Sequence, residues 1–295
     1  MKIIDFKAKY KEPVILALGF FDCVHKGHQE LINVTEAQAG LQNCKSAVFT
    51  FSNNPSDFYE RKFKLIYSYE KRLEKLESLG VDIVISCEFN ENIKNLSSGE
   101  FLRQLFERFN VKGVICGNDF TFGKGAEGDV SVLQNFCARG NISVHIVKQV
   151  YHNYQKLSSS LIREFLQKGE IENANYCLGE EYSISGKIVK GSQDGREIGF
   201  PTININVNDN LLRSGVYKCG VLLDNNMYNG IANLGAAPTF LKLEKKLEVF
   251  LFDFNKNVYG KTAAVFFRKF VRDIIHFPGK EELMNQIKED IRNCQ

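Results

Sequence analysis

The chain has 295 residues, 44% of them hydrophobic and 25% charged, with a formal net charge of +3. That length favours two domains, the composition is that of an ordinary globular protein, and so weak a charge gives no reason to expect a nucleic-acid surface. No apolar run approaches the ~18 residues of a membrane span, and the charged N-terminus lacks the apolar core of a signal peptide. Eight scattered cysteines, none in a CxxC pair, point to free thiols in a reducing cytoplasm.

The first element sets the theme. Val14–Phe20 (VILALGF) is a near-continuous apolar run, the pattern of a strand buried on both faces of a parallel sheet. Phe21-Asp22-Cys23-Val24 then reads as a short loop, and from His28 onward Leu31, Ile32 and Thr35 recur at helical spacing. His25-Lys26-Gly27-His28 therefore sits where a buried strand hands over to a helix N-terminus. Such a junction offers free N–H groups and a positive dipole end to a phosphate chain, and Gly27 allows close backbone approach. Capping or surface placement is the bland alternative. Zinc is a poor fit, because two imidazoles three apart have no nearby cysteine or carboxylate cluster. The chemistry indicated is nucleotidyl transfer.

Further strands are expected at Ala47–Phe51, Val81–Cys87, Val111–Cys116 and Ile142–Val147. Amphipathic helices are expected between them, clearest at Tyr69–Leu79 and Glu100–Phe109. This alternation predicts a Rossmann-like parallel sheet covered on both faces. Gly123-Lys124-Gly125-Ala126-Glu127-Gly128 satisfies G-x-G-x-x-G, but it follows a late strand at a distance, so it is not a dinucleotide fingerprint. Ser158–Leu178 reads as a short helix pair closing the first domain. Its leading serines are N-caps by default, and Arg163 beside them adds a fixed cation suited to phosphate.

After Gly179 the pattern changes. Short β-branched and aromatic runs follow at Tyr182–Val189, Ile203–Val207, Gly215–Leu223, Met227–Leu234, Leu247–Phe254 and Thr262–Phe270, with a final helix near Lys280–Ile291. Six strands and one helix predict a small antiparallel barrel. Thr202 and Asn204 lie two apart on one face of an extended segment, as hard oxygen ligands for Mg²⁺. Gly191, Gly195 and Gly199 leave the preceding loop supple enough to wrap phosphates. Glu248 is a single acid on an otherwise aromatic strand face, costly unless paired or functional. A solvent-facing rim position is its bland alternative.

Several segments together resemble the bacterial bifunctional FAD synthetases. They are Gly19-Phe20-Phe21-Asp22-x-Val24-His25-x-Gly27-His28-Gln29, Thr50-Phe51 with Pro55, the 71–82 segment KRLEKLESLGVD, and Gly117-x-Asp119-Phe120-Thr121-Phe122-Gly123. Leu157-Ser158-Ser159-Ser160-x-Ile162-Arg163 and Gly195-Arg196-x-x-Gly199-Phe200-Pro201-Thr202-x-Asn204 follow. Gly230-Ile231-Ala232-Asn233-x-Gly235-x-x-Pro238-Thr239-Phe240, then Glu248 and Tyr259-Gly260-Lys261, complete a series that spans nearly the whole chain.

The resemblance implies an FMN adenylyltransferase domain over 1–180 and a riboflavin kinase-like barrel over 181–295. It implies ATP and Mg²⁺, with riboflavin, FMN and FAD as substrates and products. His25 and His28 would donate to the triphosphate. Gly19, Phe20, Phe21, Asp22, Gly27, Ser158, Ser159 and Arg163 would complete that nucleotide site. Gly191, Gly199, Pro201 and Thr202 would bind the kinase nucleotide, Thr202 and Asn204 the metal, and Glu248 would act as general base. Asp119, Phe120, Phe122 and Arg272 would face flavins.

The expected partners are small molecules only, with no nucleic acid and no membrane, in a cytoplasmic monomer or weak homo-oligomer. A chain keeping one activity, a flavin-binding regulator without turnover, and transfer to another acceptor remain the alternatives. The chain departs from the family at Cys23, often Gly, at Asn53-Asn54, often Pro-His, at Ile203, typically Ala, and at Phe250, commonly His. Loss of the His at Asn54 would remove one possible phosphate donor.

Overall fold

The computed structural model describes residues 1–191, 195, 198–207, 210–238 and 243–294, without side chains at 236–238 and 243–245. Arg196, Thr239 and Phe240 of the motifs above lie outside the described residues. By contact the chain divides into two units, Met1–Ser159 and a second from Ser160 onward.

The first unit is built on six parallel strands: β1 (Lys2–Asp5), β2 (Tyr10–Leu18), β3 (Lys45–Phe51), β4 (Ile83–Cys87), β5 (Phe109–Gly117) and β6 (Ser143–Val147). Their spatial order is β1-β4-β3-β2-β5-β6. The helices are α1 (Lys26–Leu41), α2 (Tyr69–Ser78), α3 (Glu91–Lys94), α4 (Ser98–Arg108) and α5 (Val130–Arg139). Along β2, Val14, Leu16 and Leu18 enter one core cluster while Ile15 and Ala17 enter the other. That two-faced burial is why the run reads as continuously apolar. The strand ends at Leu18, two residues short of the expected Phe20, because the chain turns sharply. Phe21 and Val24 take φ of 53° and 48°, a conformation that bulky and β-branched residues rarely adopt. Strand order reverses between β2 and β5, and ligands of open α/β sheets bind at that switch, beyond the strands' carboxyl ends.

A two-stranded hairpin, β7 (Tyr151–His152) and β8 (Gln155–Lys156), follows the sheet. Helices α6 (Ser159–Lys168) and α7 (Ile171–Leu178) come next. The helix pair forms as expected, but it counts with the barrel unit rather than closing the sheet unit. Asn175 Nδ2 donates to Phe267 O at 2.8 Å, and Tyr182 N–H donates to Asn175 Oδ1 at 2.7 Å. The division at Ser159 and the expected boundary at 180 differ by this pair.

The second unit closes into an antiparallel barrel of β9 (Ser183–Val189), β10 (Thr202–Asn206), β11 (Gly215–Leu223), β12 (Asn226–Pro238), β13 (Leu243–Leu251) and β14 (Thr262–Arg272). Its order is β10-β13-β12-β11-β14-β9. The β11–β12 turn is Asp224-Asn225, with φ of 50° and 61°, the left-handed pair that matches a hairpin's twist. Helix α8 (Lys280–Cys294) ends the chain's described part.

Two candidate active sites

The first site is a cavity of about 460 Å³ at the carboxyl ends of β2, β3 and β5. Gly19, Phe20, His25, Gly27, His28, Asp119, Phe120, Phe122, Ser158 and Ser159 all line it. His25 is the N-cap of α1, and its Nδ1 accepts the His28 N–H at 3.2 Å. That bond fixes the neutral ring as the Nε2–H tautomer, leaving a donor for a ligand. The His25 and His28 rings stack with centroids 3.7 Å apart and planes 12° apart. Burial lowers the His25 pKa to about 4 and pushes His28 well below its usual value, and the two rings oppose charging together. His28 Nδ1 is buried without a partner, so Nε2 is the nitrogen it can offer. Burial thus disfavours the charged form of both imidazoles.

Gly27 has a second reason to be glycine. A Cβ there would press on the His25 ring at 3.1–3.2 Å. Phe21 and Asp22 are not among the residues that line the cavity. Both are buried outside the cavity lining, and Asp22 Oδ1 accepts the Ile66 N–H at 3.1 Å. They shape the loop from behind. Ser158 and Ser159 reach the cavity, and Ser159 Oγ lies 3.7 Å from Cys23 Sγ. Arg163 is on α6, in the part of the chain that counts with the second unit.

Elsewhere in the lining Phe120 and Phe122 stack at 5.5 Å, and Asp119 pairs with Lys156. Phe51, Tyr59 and Phe89 continue an aromatic wall that sequence reading left without a role. The G-x-G-x-x-G segment is a closed loop seated on α4. Phe122 and Gly128 exchange backbone bonds, and Ser98 N–H donates to Glu127 Oε1 at 2.8 Å. Asn53 and Asn54 are committed locally. Asn53 binds both backbone groups of Phe89, and Asn54 caps a short turn and donates to Phe63 O.

The second site is a cavity of about 620 Å³ in the barrel, lined by Thr202, Asn204, Asn233, Glu248, Phe250 and Arg272 among others. Register explains the grouping. Glu248 on β13 lies opposite Asn204 on β10 and Asn233 on β12, so the three form one row across adjacent strands. Asn204 is 5% exposed and its Oδ1 has no partner. Gly191 passes so close that any side chain there would collide with the Asn204 amide. Glu248 pairs with Lys246 at 2.8 Å. Thr202 and Asn204 also line a smaller cavity of about 150 Å³ with Pro201 and Asn255–Tyr259, so they stand between two spaces. Gly199, exposed with φ +85°, lies outside both linings.

Phe250 lines the larger cavity, edge-on to Phe200 at 5.5 Å. Arg272 also lines it, but its guanidinium forks onto Asp290 of α8 at 2.7–3.1 Å. Asp290 was not foreseen, since an acid on an amphipathic helix reads as solvated.

A family model described as FAD synthetase matches residues 7–161, and one described as riboflavin kinase matches 178–295. A Bacillus subtilis relative named bifunctional riboflavin kinase/FMN adenylyltransferase is 35% identical over 284 residues, 94% of this chain and 90% of its own. A Haemophilus influenzae protein of the same name is 33% identical over 95% of this chain and 92% of its own. A solved structure described as a macrolide-efflux protein from Streptococcus pneumoniae matches with a TM-score of 0.91 at 29% identity, covering 99% of this chain and 98% of that one. Among the described residues no helix is long and apolar enough to cross a membrane.

Proposed function

The chain belongs to the bifunctional riboflavin kinase/FMN adenylyltransferase family, and from that premise we propose which of its residues carry each reaction. It phosphorylates riboflavin to FMN and joins FMN to the adenylyl group of ATP to give FAD. The carrying observation is that each matched segment has its own cavity, and each cavity presents phosphate-directed groups.

In adenylyl transfer an FMN phosphate oxygen attacks the α-phosphorus of ATP, and the bond to the β-phosphate breaks to release pyrophosphate. Positioning and charge stabilisation carry such chemistry. His25 and His28 donate Nε2–H to the triphosphate. Their pKa values rise as anionic charge enters, so the donors strengthen as charge builds. Ser158 and Ser159, beside the His25 loop, bind phosphate as well, with Arg163 assigned to the same task. Gly19, Phe20 and Gly27 form the nucleotide side, with Phe21 and Asp22 acting through the shape of the loop. Asp119, Phe120 and Phe122 form the flavin side.

In the kinase reaction the riboflavin 5′-hydroxyl attacks the γ-phosphorus, Glu248 takes the proton, and ADP leaves. The larger cavity suits the flavin, with Arg272 at its wall. The smaller one, lined by Pro201, suits the phosphate end of the nucleotide, and Gly191 and Gly199 are assigned to bind those phosphates. The Thr202 hydroxyl and the orphaned buried Asn204 Oδ1 fit a hard divalent cation. Mg²⁺ held there would neutralise phosphate charge.

The functional division at 1–180 and 181–295 is part of this proposal, as are a cytoplasmic setting, small-molecule partners and a monomer or weak homo-oligomer. The test is the product profile from riboflavin and Mg-ATP. FMN and FAD are expected from the wild type, FMN alone from His28→Ala, and neither from Glu248→Gln. FAD formed by His28→Ala, or FMN by Glu248→Gln, overturns the corresponding assignment.

A further inference from the structure

Arg72 leads the largest fully buried side chains, at 0% exposure. It comes from the 71–82 segment, to which no role has been given. A guanidinium removed from water is costly, and a well-packed apolar side chain of similar volume is often at least as stabilising. Its presence calls for a use.

Its hydrogen bonds converge on the strand ends beneath the first cavity. Nη1 donates to Phe20 O at 3.1 Å and to Thr50 Oγ1 at 3.3 Å, and Nη2 donates to Phe51 O at 3.0 Å. Thr50 Oγ1 in turn donates to Phe20 O at 2.6 Å. The Phe20 carbonyl thus accepts two donors, which occupies both lone pairs. The guanidinium also stands 5.1 Å from the Phe20 ring centroid and 5.3 Å from that of Tyr69. Phe20 is held by its carbonyl and its ring together. Phe20 and Phe51 both line the cavity, and Phe20 begins the turn that leads to His25. Asp22, itself 1% exposed, is the charge that most favours the cationic form of Arg72.

We propose that Arg72 is a positioning residue for adenylyl transfer, fixing from below the Phe20 and Phe51 walls against which FMN and ATP are held. This rests on reading the first cavity as the adenylyl-transfer site. A reacting group misplaced by about 1 Å costs on the order of a hundredfold in rate, so the clamp matters without touching substrate.

The experiment uses the full-length protein, with riboflavin phosphorylation in the same preparation as an internal reference. Arg72→Met is expected to lower kcat/KM for FAD formation by about 10- to 100-fold, with a raised KM for FMN. Riboflavin phosphorylation should stay within about twofold. Arg72→Lys, which keeps the charge but not the planar fork, should recover part of the loss. Thr50→Val removes the other donor to the same carbonyl. The double variant should therefore lose less than the product of the single losses.

Unchanged KM values in Arg72→Met, with kcat reduced only in proportion to the folded fraction by thermal unfolding, overturn the proposal. So does full additivity with Thr50→Val. If Arg72→Met does not fold, Thr50→Val alone decides: a raised KM for FMN supports the clamp and an unchanged one sinks it. His28→Ala separates the two readings. If it abolishes FAD formation while Arg72→Met does not impair it, only the clamp fails; if FAD formation survives His28→Ala, the site assignment itself fails.

Discussion

Burial gives the imidazole stack a pH dependence of its own. The folded His25 pKa is about 4, against about 6.5 in an unfolded chain. Between those values the unfolded chain binds a proton that the folded one refuses, so the stability of the first unit rises with pH and levels off above. Below the folded pKa the penalty is fully present, roughly 3 kcal/mol for His25 alone. His28, depressed in the same direction, adds to it. His25→Asn keeps a capping acceptor and removes this titration. Denaturant unfolding of the first unit should therefore depend less on pH in the variant between about pH 4 and 6.5; equal slopes would show that His25 is not the group responsible. The sequence revealed the two imidazoles at a strand-to-helix junction, but not their stacking. Stacking depends on the cap bond and on a bare Gly27 beside the ring.

At the level of elements, an ion pair joins the last helix to the barrel, beside the apolar contacts of Ile291 and Cys294. Arg272 on β14 and Asp290 on α8 have side chains 18% and 3% exposed, and they bond through two nitrogens. Breaking a buried pair by removing one partner strands the other charge and typically costs about 3–5 kcal/mol. Asp290→Asn should lower the melting temperature of the barrel unit and raise the KM for riboflavin, because Arg272 lines the larger cavity. A variant with unchanged melting and unchanged KM would show that the helix is held by its apolar face alone. Both Asp290 and Arg72 escaped the sequence reading for one reason. Each lies on an amphipathic helix whose charged positions read as solvated, and only the packed neighbours reveal which charge points inward.

For the whole molecule, each of the two cavities is lined, among the described residues, by its own unit alone. Assigning one reaction to each cavity makes FMN released by one protein molecule a substrate for another. Mixing His28→Ala with Glu248→Gln should restore FAD synthesis from riboflavin, because the first variant supplies FMN that the second adenylylates. FAD from the mixture no faster than from either variant alone, with each partial activity intact, would show that FMN is not released for exchange.

The sequence alone determined the alternation of buried strands and helices in the first half, the short punctuated strands of the barrel, and the paired imidazoles of His25 and His28 at a strand-to-helix junction. Each of these is written in local spacing: period, run length and turn residues. Tertiary structure decided what depends on register and burial. It set Glu248 beside Asn204 and Asn233, left Asn204 Oδ1 orphaned, and grouped the α6–α7 pair with the barrel. It also gave Phe21 and Asp22 to the loop's interior rather than to the cavity wall. Strand pairing and side-chain burial join residues far apart in the chain, and local spacing carries no record of which partners meet.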